Sequence, residues 1–155
     1  MNIHTRFSLA SAAFAGLLLT APFLVAQDKK ITHDQLPAAV QHAMDVETQG
    51  STVKGYAIEV ENGKRSYEAE TIRNGHTRDV SFHPDGSLAE IEEEVAMSDL
   101  PANVQQALKT KAKGAQIRKV ESLTKQNKIV AYEATTGSGS EIQVGPTGEK
   151  LNHEE

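Results

Sequence analysis

The fold follows from a stretch that occurs twice in the sequence: LPAAVQHAMDVETQG at residues 36–50 and LPANVQQALKTKAKG at residues 100–114. The copies are 64 positions apart, as Leu36 and Leu100 show. Further matches follow in the same order: Tyr67-Glu68-Ala69 with Tyr132-Glu133-Ala134, Val53 with Ile117, Val80 with Val144, and Gly86 with Gly148. An ordered series across both halves indicates a tandem duplication of a unit of about 60 residues.

Each repeated stretch predicts a short amphipathic helix. Its apolar residues recur every three to four positions and form one stripe. Pro37 and Pro101 suit the first helical position, and Gly50 and Gly114 suit the C′ position that ends a helix. Side chains that could cap the helix starts are those of Asp34, Ser98 and Asp99. Helices of about 11–12 residues are unstable alone in water, so each must pack on another element.

Alternating segments after each helix predict antiparallel strands. In the first unit, Tyr56 to Val60 alternate before Asn62-Gly63, and a second segment ends at Asn74-Gly75; both dipeptides favour tight hairpin turns. Further strands are predicted around Val80–Phe82 and over Leu88–Val95. In the second unit the matching strands are Ile117–Leu123, Ile129–Thr135 and Glu141–Val144. The fold class is therefore α+β, with a tandem repeat of a helix followed by three to four antiparallel strands.

The predicted division is a leader at residues 1–26, a first repeat at 31–95 and a second at 96–155. A unit of about 60 residues buries only ~60% of its extended-chain surface, so neither is stable by a wide margin alone. We therefore expect the two units to pack together into one body.

The first 26 residues have the order of a secretory signal peptide. Arg6 precedes an uncharged segment centred on Leu17–Leu19, Pro22 breaks it, and Ala26 precedes a polar run. The competing interpretation is an uncleaved anchor, because the uncharged segment could just cross a bilayer of ~30 Å. Its many Ala and Ser residues favour export with cleavage, which places the protein in the periplasm or outside the cell.

Composition excludes several classes of protein. The absence of Cys excludes disulfide scaffolds, thiolate zinc sites and Cys nucleophiles. Beyond residue 26 the chain has 15 basic and 21 acidic residues, a net charge of −6, which argues against binding to nucleic acid or anionic membranes. Residues 27–95 carry 7 basic and 14 acidic groups, whereas residues 96–155 carry 8 and 7. The acidity thus belongs to the first unit and favours a basic partner surface, or head-to-tail self-association.

The Leu-Pro-x-x-Val-x-x-Ala helix, the Tyr-Glu-Ala strand and the Gly-Ser-Leu segment at residues 86–88 resemble the PepSY-like family. In particular, the chain resembles its exported beta-lactamase-inhibitor-like, PepSY-like members, over residues 31–155. The resemblance implies a small periplasmic or secreted module in which a helix packs on an antiparallel sheet. It also implies binding or restraint of an enzyme such as a peptidase. The chain differs from the lactamase inhibitor in having no disulfide and no Trp.

The acidic segment from His83 to Glu94 is the one candidate for a cation or small-ligand site. Aligned with a calcium-binding loop that ends at Glu92, it has Ser81 and His83 where Asp or Asn is required, so half the ligands are missing. The simpler interpretation is a solvated edge strand whose charges prevent pairing with other sheets.

Other candidate residues give structural interpretations. The sequence Gly137-Ser138-Gly139-Ser140 lacks the spacing of a nucleophile elbow and predicts a loop. The His residues show no metal-ligand spacing and are expected on the surface. Lys109, Lys111 and Lys113 suit the negative end of the second helix dipole. Tyr67 and Tyr132 are expected to pack in the core rather than form a binding platform.

The sequence therefore predicts a non-enzymatic, exported protein-binding module that acts through a sheet face or edge, with an envelope peptidase or another enzyme as its partner. It predicts no catalytic, cofactor-binding or metal-binding residues and no cofactor. The alternative is a periplasmic protein that binds a cation or small ligand through the segment His83 to Glu94.

Overall fold

The computed structural model describes residues 29–61 and 63–151, and the predicted leader at residues 1–26 lies outside them. Eight strands and two α-helices form this part of the chain: β1 (Lys29–Ile31), α1 (Ala38–Glu47), β2 (Thr52–Glu61), β3 (Lys64–Arg73), β4 (His76–Phe82), β5 (Leu88–Glu94), α2 (Ala102–Ala112), β6 (Ile117–Lys125), β7 (Lys128–Thr136) and β8 (Glu141–Val144). A 3-10 turn precedes each helix, at His33–Gln35 and Met97–Asp99. Neither of the α-helices described here has the length and apolar character needed to cross a membrane.

All eight strands form one antiparallel sheet in chain order, with β1 and β8 at its edges. The α+β class is thus confirmed, but the two halves share a single open sheet. They join where residues Ile91–Glu94 of β5 pair with residues Glu121–Thr124 of β6. The prediction that the acidic segment forms an edge strand is therefore wrong. A helix separates β5 from β6 in the chain, so no local signal reveals that they pair.

Tight turns set the register of the hairpins. Asn74 and Gly75 have φ values of 54° and 89°, the left-handed conformation of the turn that their sequence predicts. Gly63 likewise has a φ of 75° between β2 and β3. Gln126 and Asn127 adopt the same conformation, with φ of 51° and 59°, although neither is Gly. The β6–β7 hairpin therefore also has a tight turn, one that composition alone does not identify.

The helices start one residue later than predicted. Pro37 and Pro101 have ψ values of 144° and 142°, so they are N-cap residues outside the helix. Their carbonyl oxygens accept the first helical hydrogen bonds, from the backbone N–H of Gln41 at 2.9 Å and of Gln105 at 3.0 Å.

The predicted caps are only partly confirmed. Neither helix has a side-chain hydrogen bond at its N-cap, because Asp34, Ser98 and Asp99 belong to the 3-10 turns. At the other end, Gly114 directly follows the left-handed C-cap residue of α2, as predicted. Gly50 lies one position beyond C′, since α1 is capped by Thr48.

Both helices pack on the same kind of surface, and each covers its own cluster of apolar side chains. The cluster under α1 contains Leu36, Val40, Met44, Tyr67, Ala69, Val80 and Phe82. The cluster under α2 contains Leu100, Val104, Leu108, Val120, Tyr132, Ala134 and Val144. Tyr67 and Tyr132 are therefore core residues, as predicted. Matching residues of the repeat occupy matching places in the two clusters.

The turns after β4 and β8 approach the helix starts so closely that only Gly fits. A β-carbon on Gly86 would lie 2.8 Å from the carbonyl oxygen of Ala39, and one on Gly148 would lie 2.7 Å from that of Asn103. Both glycines have a φ of 83°. The repeated glycine thus marks the same contact in both halves, between the end of the sheet and the first turn of the helix.

Candidate functional site: an acidic sheet face

The sheet has one face covered by helices and one face that carries none. Successive side chains of a strand point to opposite faces, and the helices contact Tyr67, Ala69, Val80 and Phe82. The residues between these, such as Glu68 and Asp79, therefore point to the helix-free side. This face is the candidate functional site.

Carboxylates dominate the helix-free face, and all interior strands from β2 to β7 contribute at least one. We call this set the acidic face: Glu59, Glu68, Glu70, Asp79, Glu90, Glu92, Glu94, Glu121, Glu133 and Glu141. Most of its members precede residue 95. The charge imbalance of the first unit is thus concentrated on one side of the sheet.

The strand register places several of these acids directly opposite one another. Asp79 pairs with Glu70 on one side and with Glu92 on the other. Glu121 pairs with Glu94 and with Glu133. Like charges in directly opposed positions destabilise a sheet, so this arrangement has a free-energy cost that other interactions must offset.

Part of this electrostatic cost is avoided because Glu68 keeps its proton. Burial raises the pKa of Glu68 to about 9, helped by a hydrogen bond with Glu59 and by the negative charges of Glu59, Asp79 and Glu92. At neutral pH the Glu68 carboxyl is therefore protonated and donates to the Glu59 carboxylate.

The centre of the face also resists ionisation. Burial raises the pKa of Glu92 to about 7, and the charges of Glu90, Glu121, Glu133 and Asp79 add to the effect. Burial likewise raises the pKa of Asp79. For Glu133, burial raises the pKa although a hydrogen bond from Gln143 opposes the change. Burial and mutual repulsion thus oppose ionisation of the carboxylates on this face, and raised carboxylate pKa values of this kind are typical of functional sites.

Two lysines offset part of the charge. The ammonium group of Lys119 lies 2.8 Å from the carboxylate of Glu121, which is only 6% exposed, and that of Lys125 lies 3.0 Å from Glu90. One oxygen of Glu90 is buried and has no hydrogen-bond partner among the described residues. The face thus keeps an excess of carboxylates over lysines.

The predicted site from His83 to Glu94 is not brought together as a unit. Asp85 accepts hydrogen bonds from Ser87 of its own turn, at 3.0 Å and 2.6 Å, and Glu93 points to the opposite side from Glu92. His83 lines a cavity of about 410 Å³ together with Glu90. Within residues 29–61 and 63–151, no three His, Asp or Glu side chains are arranged to hold a metal ion.

The loop Gly137–Ser140 is a hydrogen-bonded turn. The hydroxyl of Ser138 lies 3.0 Å from that of Thr136 and 3.2 Å from that of Ser140. The backbone N–H of Gly137 donates to Gln116 at 2.7 Å. These contacts close the end of the β7–β8 hairpin, in agreement with the loop predicted from the sequence.

Sequence reasoning missed the acidic face, although it noted the acidic run in β5. The face consists of residues from strands that are up to about 80 positions apart in the chain. The signal that could have revealed it is the alternation within each strand, where Glu68 and Glu70 flank buried Ala69, and Glu92 follows Ile91. In each strand the acidic residues alternate with buried ones, so the acidic residues of neighbouring strands can be assigned to one face of the sheet.

Comparison with known proteins supports the fold. The family model described as "Putative beta-lactamase-inhibitor-like, PepSY-like" matches residues 24–75 and 65–149. Among solved structures, a DUF2874 family protein from Bacteroides ovatus is similar, with a TM-score of 0.58 and 19% identity over 77% of this chain and 86% of that one. So is a structure from Bacteroides eggerthii described as "putative periplasmic proteins", with a TM-score of 0.57 and 22% identity over 76% and 86%.

A BLIP-like protein from Bacteroides fragilis is also similar, with a TM-score of 0.50 and 22% identity over 76% of this chain and 83% of that one. A comparison with curated proteins finds no match. Because the family model covers nearly all of the described chain, in two successive matches, this protein belongs to the PepSY-like, beta-lactamase-inhibitor-like family.

Proposed function

We propose that the protein is an exported, non-enzymatic binding module whose acidic face binds a basic surface of a protein partner, and that it restrains an envelope enzyme such as a peptidase. The observation that carries the proposal is the helix-free sheet face on which Glu70, Asp79, Glu92 and their neighbours concentrate negative charge. Membership of an inhibitor-like family supports a binding role rather than a catalytic one.

The physical reason is that a basic partner removes the repulsion within the face. An arginine or lysine placed between Asp79 and Glu92 would interact with two carboxylates at once. Arg is the better match, since its planar group binds carboxylates through two parallel hydrogen bonds. Complementary charge would also steer the encounter and make binding sensitive to salt.

The proposal includes the two repeats at residues 31–95 and 96–155 and the removal of residues 1–26 on export. Matching cores and the matching contacts of Gly86 and Gly148 support the repeats. The two family matches overlap at residues 65–75 and so do not place the boundary at 95. Mass spectrometry of the mature protein tests the leader: an N-terminus at Gln27 is expected, and an intact Met1 would show that no cleavage occurs.

The function is tested by capture of partners from the native periplasm with three immobilised proteins. The first is wild type. The second carries Glu70→Gln, Asp79→Asn and Glu92→Gln on the acidic face. The third, the matched control, loses the same number of charges elsewhere through Asp34→Asn, Glu93→Gln and Asp99→Asn.

We expect wild type and control to retain a common basic protein that the acidic-face variant does not retain and that elutes as salt is raised. The purified partner is then titrated against all three proteins, and its enzymatic activity is measured with and without wild type. Equal retention by the acidic-face variant would refute the proposed interface. Binding without any change in the partner's activity would refute restraint while leaving the interface in place.

A further inference from the structure

The repeat provides an internal comparison of two equivalent places in the protein. Positions 64 residues apart correspond throughout the helix and the strand that follows it. Both 3-10 turns, both helix starts and both bulges near the start of the strand obey this offset, the bulges at Val53/Gly55 and Ile117/Lys119. The space between the helix C-terminal end and the bulged strand can therefore be compared residue by residue.

In the first half three side chains that contact one another lie in this space. The ring of His33 lies edge-on to that of Tyr56, with 5.4 Å between their centroids. The Nε2 atom of His33 lies 2.9 Å from the carboxylate of Asp45 on α1. Burial and the charge of Asp45 raise the pKa of Tyr56. An aromatic ring thus fills the space, and an anion lies at its mouth.

In the second half all three residues change, and the space is open. The residues 64 positions later are Met97, Lys109 and Val120. Val120 is much smaller than Tyr56, and a cavity of about 500 Å³ lies between α2 and β6. Its apolar wall includes Val95, Met97, Ala112, Ile117 and Val120. The volume lies in the range of small-molecule and peptide pockets.

The mouth of this cavity has the opposite charge from its counterpart. Lys109 replaces Asp45, and Arg118 lies on the same rim. Among the described residues, neither cation forms an ion pair within 4.0 Å. The other charged groups of the lining are engaged: Lys119 pairs with Glu121, and Glu94 accepts a hydrogen bond from the backbone of Thr77 at 3.1 Å.

We propose that this cavity binds an apolar carboxylate, with an aromatic or aliphatic side chain where Tyr56 lies in the first half and with its carboxylate on Lys109 and Arg118. The source we infer is the C-terminal residue of a polypeptide. Glu94 and Lys119 line the cavity and also carry side chains on the helix-free side, so the cavity lies at the end of β5 and the start of β6, next to the acidic face. A chain bound across that face would have its end beside the cavity. This choice of source rests on the proposed function; the binding of an apolar carboxylate does not.

The experiment uses the mature protein labelled with ¹⁵N, so that chemical-shift changes locate each ligand. N-acetyl-phenylalanine tests the carboxylate, its amide tests the need for charge, and a hexapeptide ending in Phe with a free carboxylate tests the polypeptide source. We expect the acid to shift resonances around Lys109 and Ile117 and the amide to bind at least about tenfold more weakly, as for loss of a charge-assisted hydrogen bond. Absence of binding by both acid and hexapeptide, or equal binding of acid and amide, overturns the proposal.

Substitutions in and around the cavity test where the ligand binds. Val120→Tyr, combined with Met97→His and Lys109→Asp, copies the closed first half and is expected to abolish binding. Lys109→Gln changes an exposed side chain without filling the cavity, so it keeps the test valid if the triple variant unfolds; it is expected to weaken the acid about tenfold. Lys128→Gln removes an exposed charge at the β6–β7 turn and is expected to have no effect. Unchanged affinity of Lys109→Gln overturns the site.

The hexapeptide decides the source. Tighter binding of the hexapeptide than of N-acetyl-phenylalanine supports a polypeptide terminus, because residues before the last one add contacts on the helix-free side. Equal affinity assigns the cavity to a free acid and overturns the polypeptide source. Failure here is separable from failure of the proposed function, since the acidic-face variant keeps the cavity residues and the cavity variants keep Glu70, Asp79 and Glu92.

Discussion

Replacing Glu92 with Gln should stabilise the protein, and only above the ordinary glutamate pKa of 4.5, where Glu92 of the unfolded chain is ionised. Glu92 lies in the middle of the acidic face, opposite Asp79, and is partly buried. Its pKa is raised to about 7 by burial and by the surrounding negative charges. Ionised Glu92 is thus less favourable in the folded protein than in the unfolded chain.

The magnitude follows from the pKa. A rise from the ordinary value of 4.5 to about 7 corresponds to roughly 3 kcal/mol when each pKa unit is worth about 1.4 kcal/mol. Because Glu92 is partly exposed, solvent screening reduces this to about 1–2 kcal/mol. Glu92→Gln should therefore raise the free energy of unfolding at about pH 8 by about 1–2 kcal/mol, and the melting temperature by about 4–8 °C.

The direction with pH follows from the raised pKa of an acid. The folded state holds the Glu92 proton more tightly, so this group stabilises the fold below the unfolded pKa of 4.5 and loses that contribution as pH rises through about 7. The difference between variant and wild type should therefore be close to zero at about pH 4 and should grow to its full size by about pH 8.

Urea unfolding followed by far-UV circular dichroism measures both values. The control is Glu93→Gln, the next residue of the same strand, which is exposed and faces away from the acidic face; it should change stability by less than about 0.5 kcal/mol at either pH. An equal gain for Glu92→Gln at both pH values would mean that the effect is packing rather than charge. No gain at about pH 8 would refute the inference that the face opposes its own ionisation.

Three other predictions address the fold and the face. Gly148→Ala should lower the free energy of unfolding by about 2–5 kcal/mol in thermal unfolding, because the added β-carbon meets Asn103. Gly139→Ala is the control: Gly139 has the same φ of 83° but nothing within 4 Å, so its substitution should cost only about 1–2 kcal/mol. Equal losses for the two variants would exclude the contact with Asn103 as the cause. Glu68→Gln should already raise the free energy of unfolding at pH 7, by about 1–3 kcal/mol after solvent screening, because the unfolded chain ionises above 4.5 whereas folded Glu68 keeps its proton up to a pKa of about 9. The gain should be close to zero at about pH 4 and should grow up to about pH 9; no gain at pH 7 would show that the pKa of Glu68 is not raised in the folded protein. Arg73→Met should lower the free energy of unfolding by about 2–4 kcal/mol in urea, because Arg73 donates three hydrogen bonds of 2.9–3.0 Å to the α1–β2 loop. An unchanged value would mean that the loop's other contacts are sufficient to hold it.

The structural features that could be predicted from the sequence are those that depend only on residues close together in the chain. Asn74 and Gly75 make a tight turn because both tolerate positive φ, and that property belongs to the dipeptide itself. The helices were placed correctly to within a residue, since their apolar stripe has the helical period. The error at Pro37 arises because its fixed φ suits both a helix and an extended N-cap, and only ψ separates them.

What could not be predicted depends on pairing between distant segments. Strand β1 has three residues, too few to show alternation. The pairing of β5 with β6 spans a helix, so the acidic run of β5 was placed at an edge instead of in the middle of the sheet. The cavity between α2 and β6 depends on the small size of Val120. Only a comparison with the larger Tyr56 at the equivalent position of the first half reveals this.

The interior position of β5 explains why the acidic face is costly and why a partner is the natural explanation for it. At an edge, Glu92 would have water on one side and one neighbouring strand on the other. In the interior it lies between Asp79 of β4 and Leu123 of β6, with Glu121 close by, so it loses water and gains repulsion at once. Substitutions to neutral residues would relieve this repulsion without disturbing the helix-side core. Proteins keep such destabilising arrangements where function requires them, which is why we propose a partner whose Arg or Lys side chains neutralise this face.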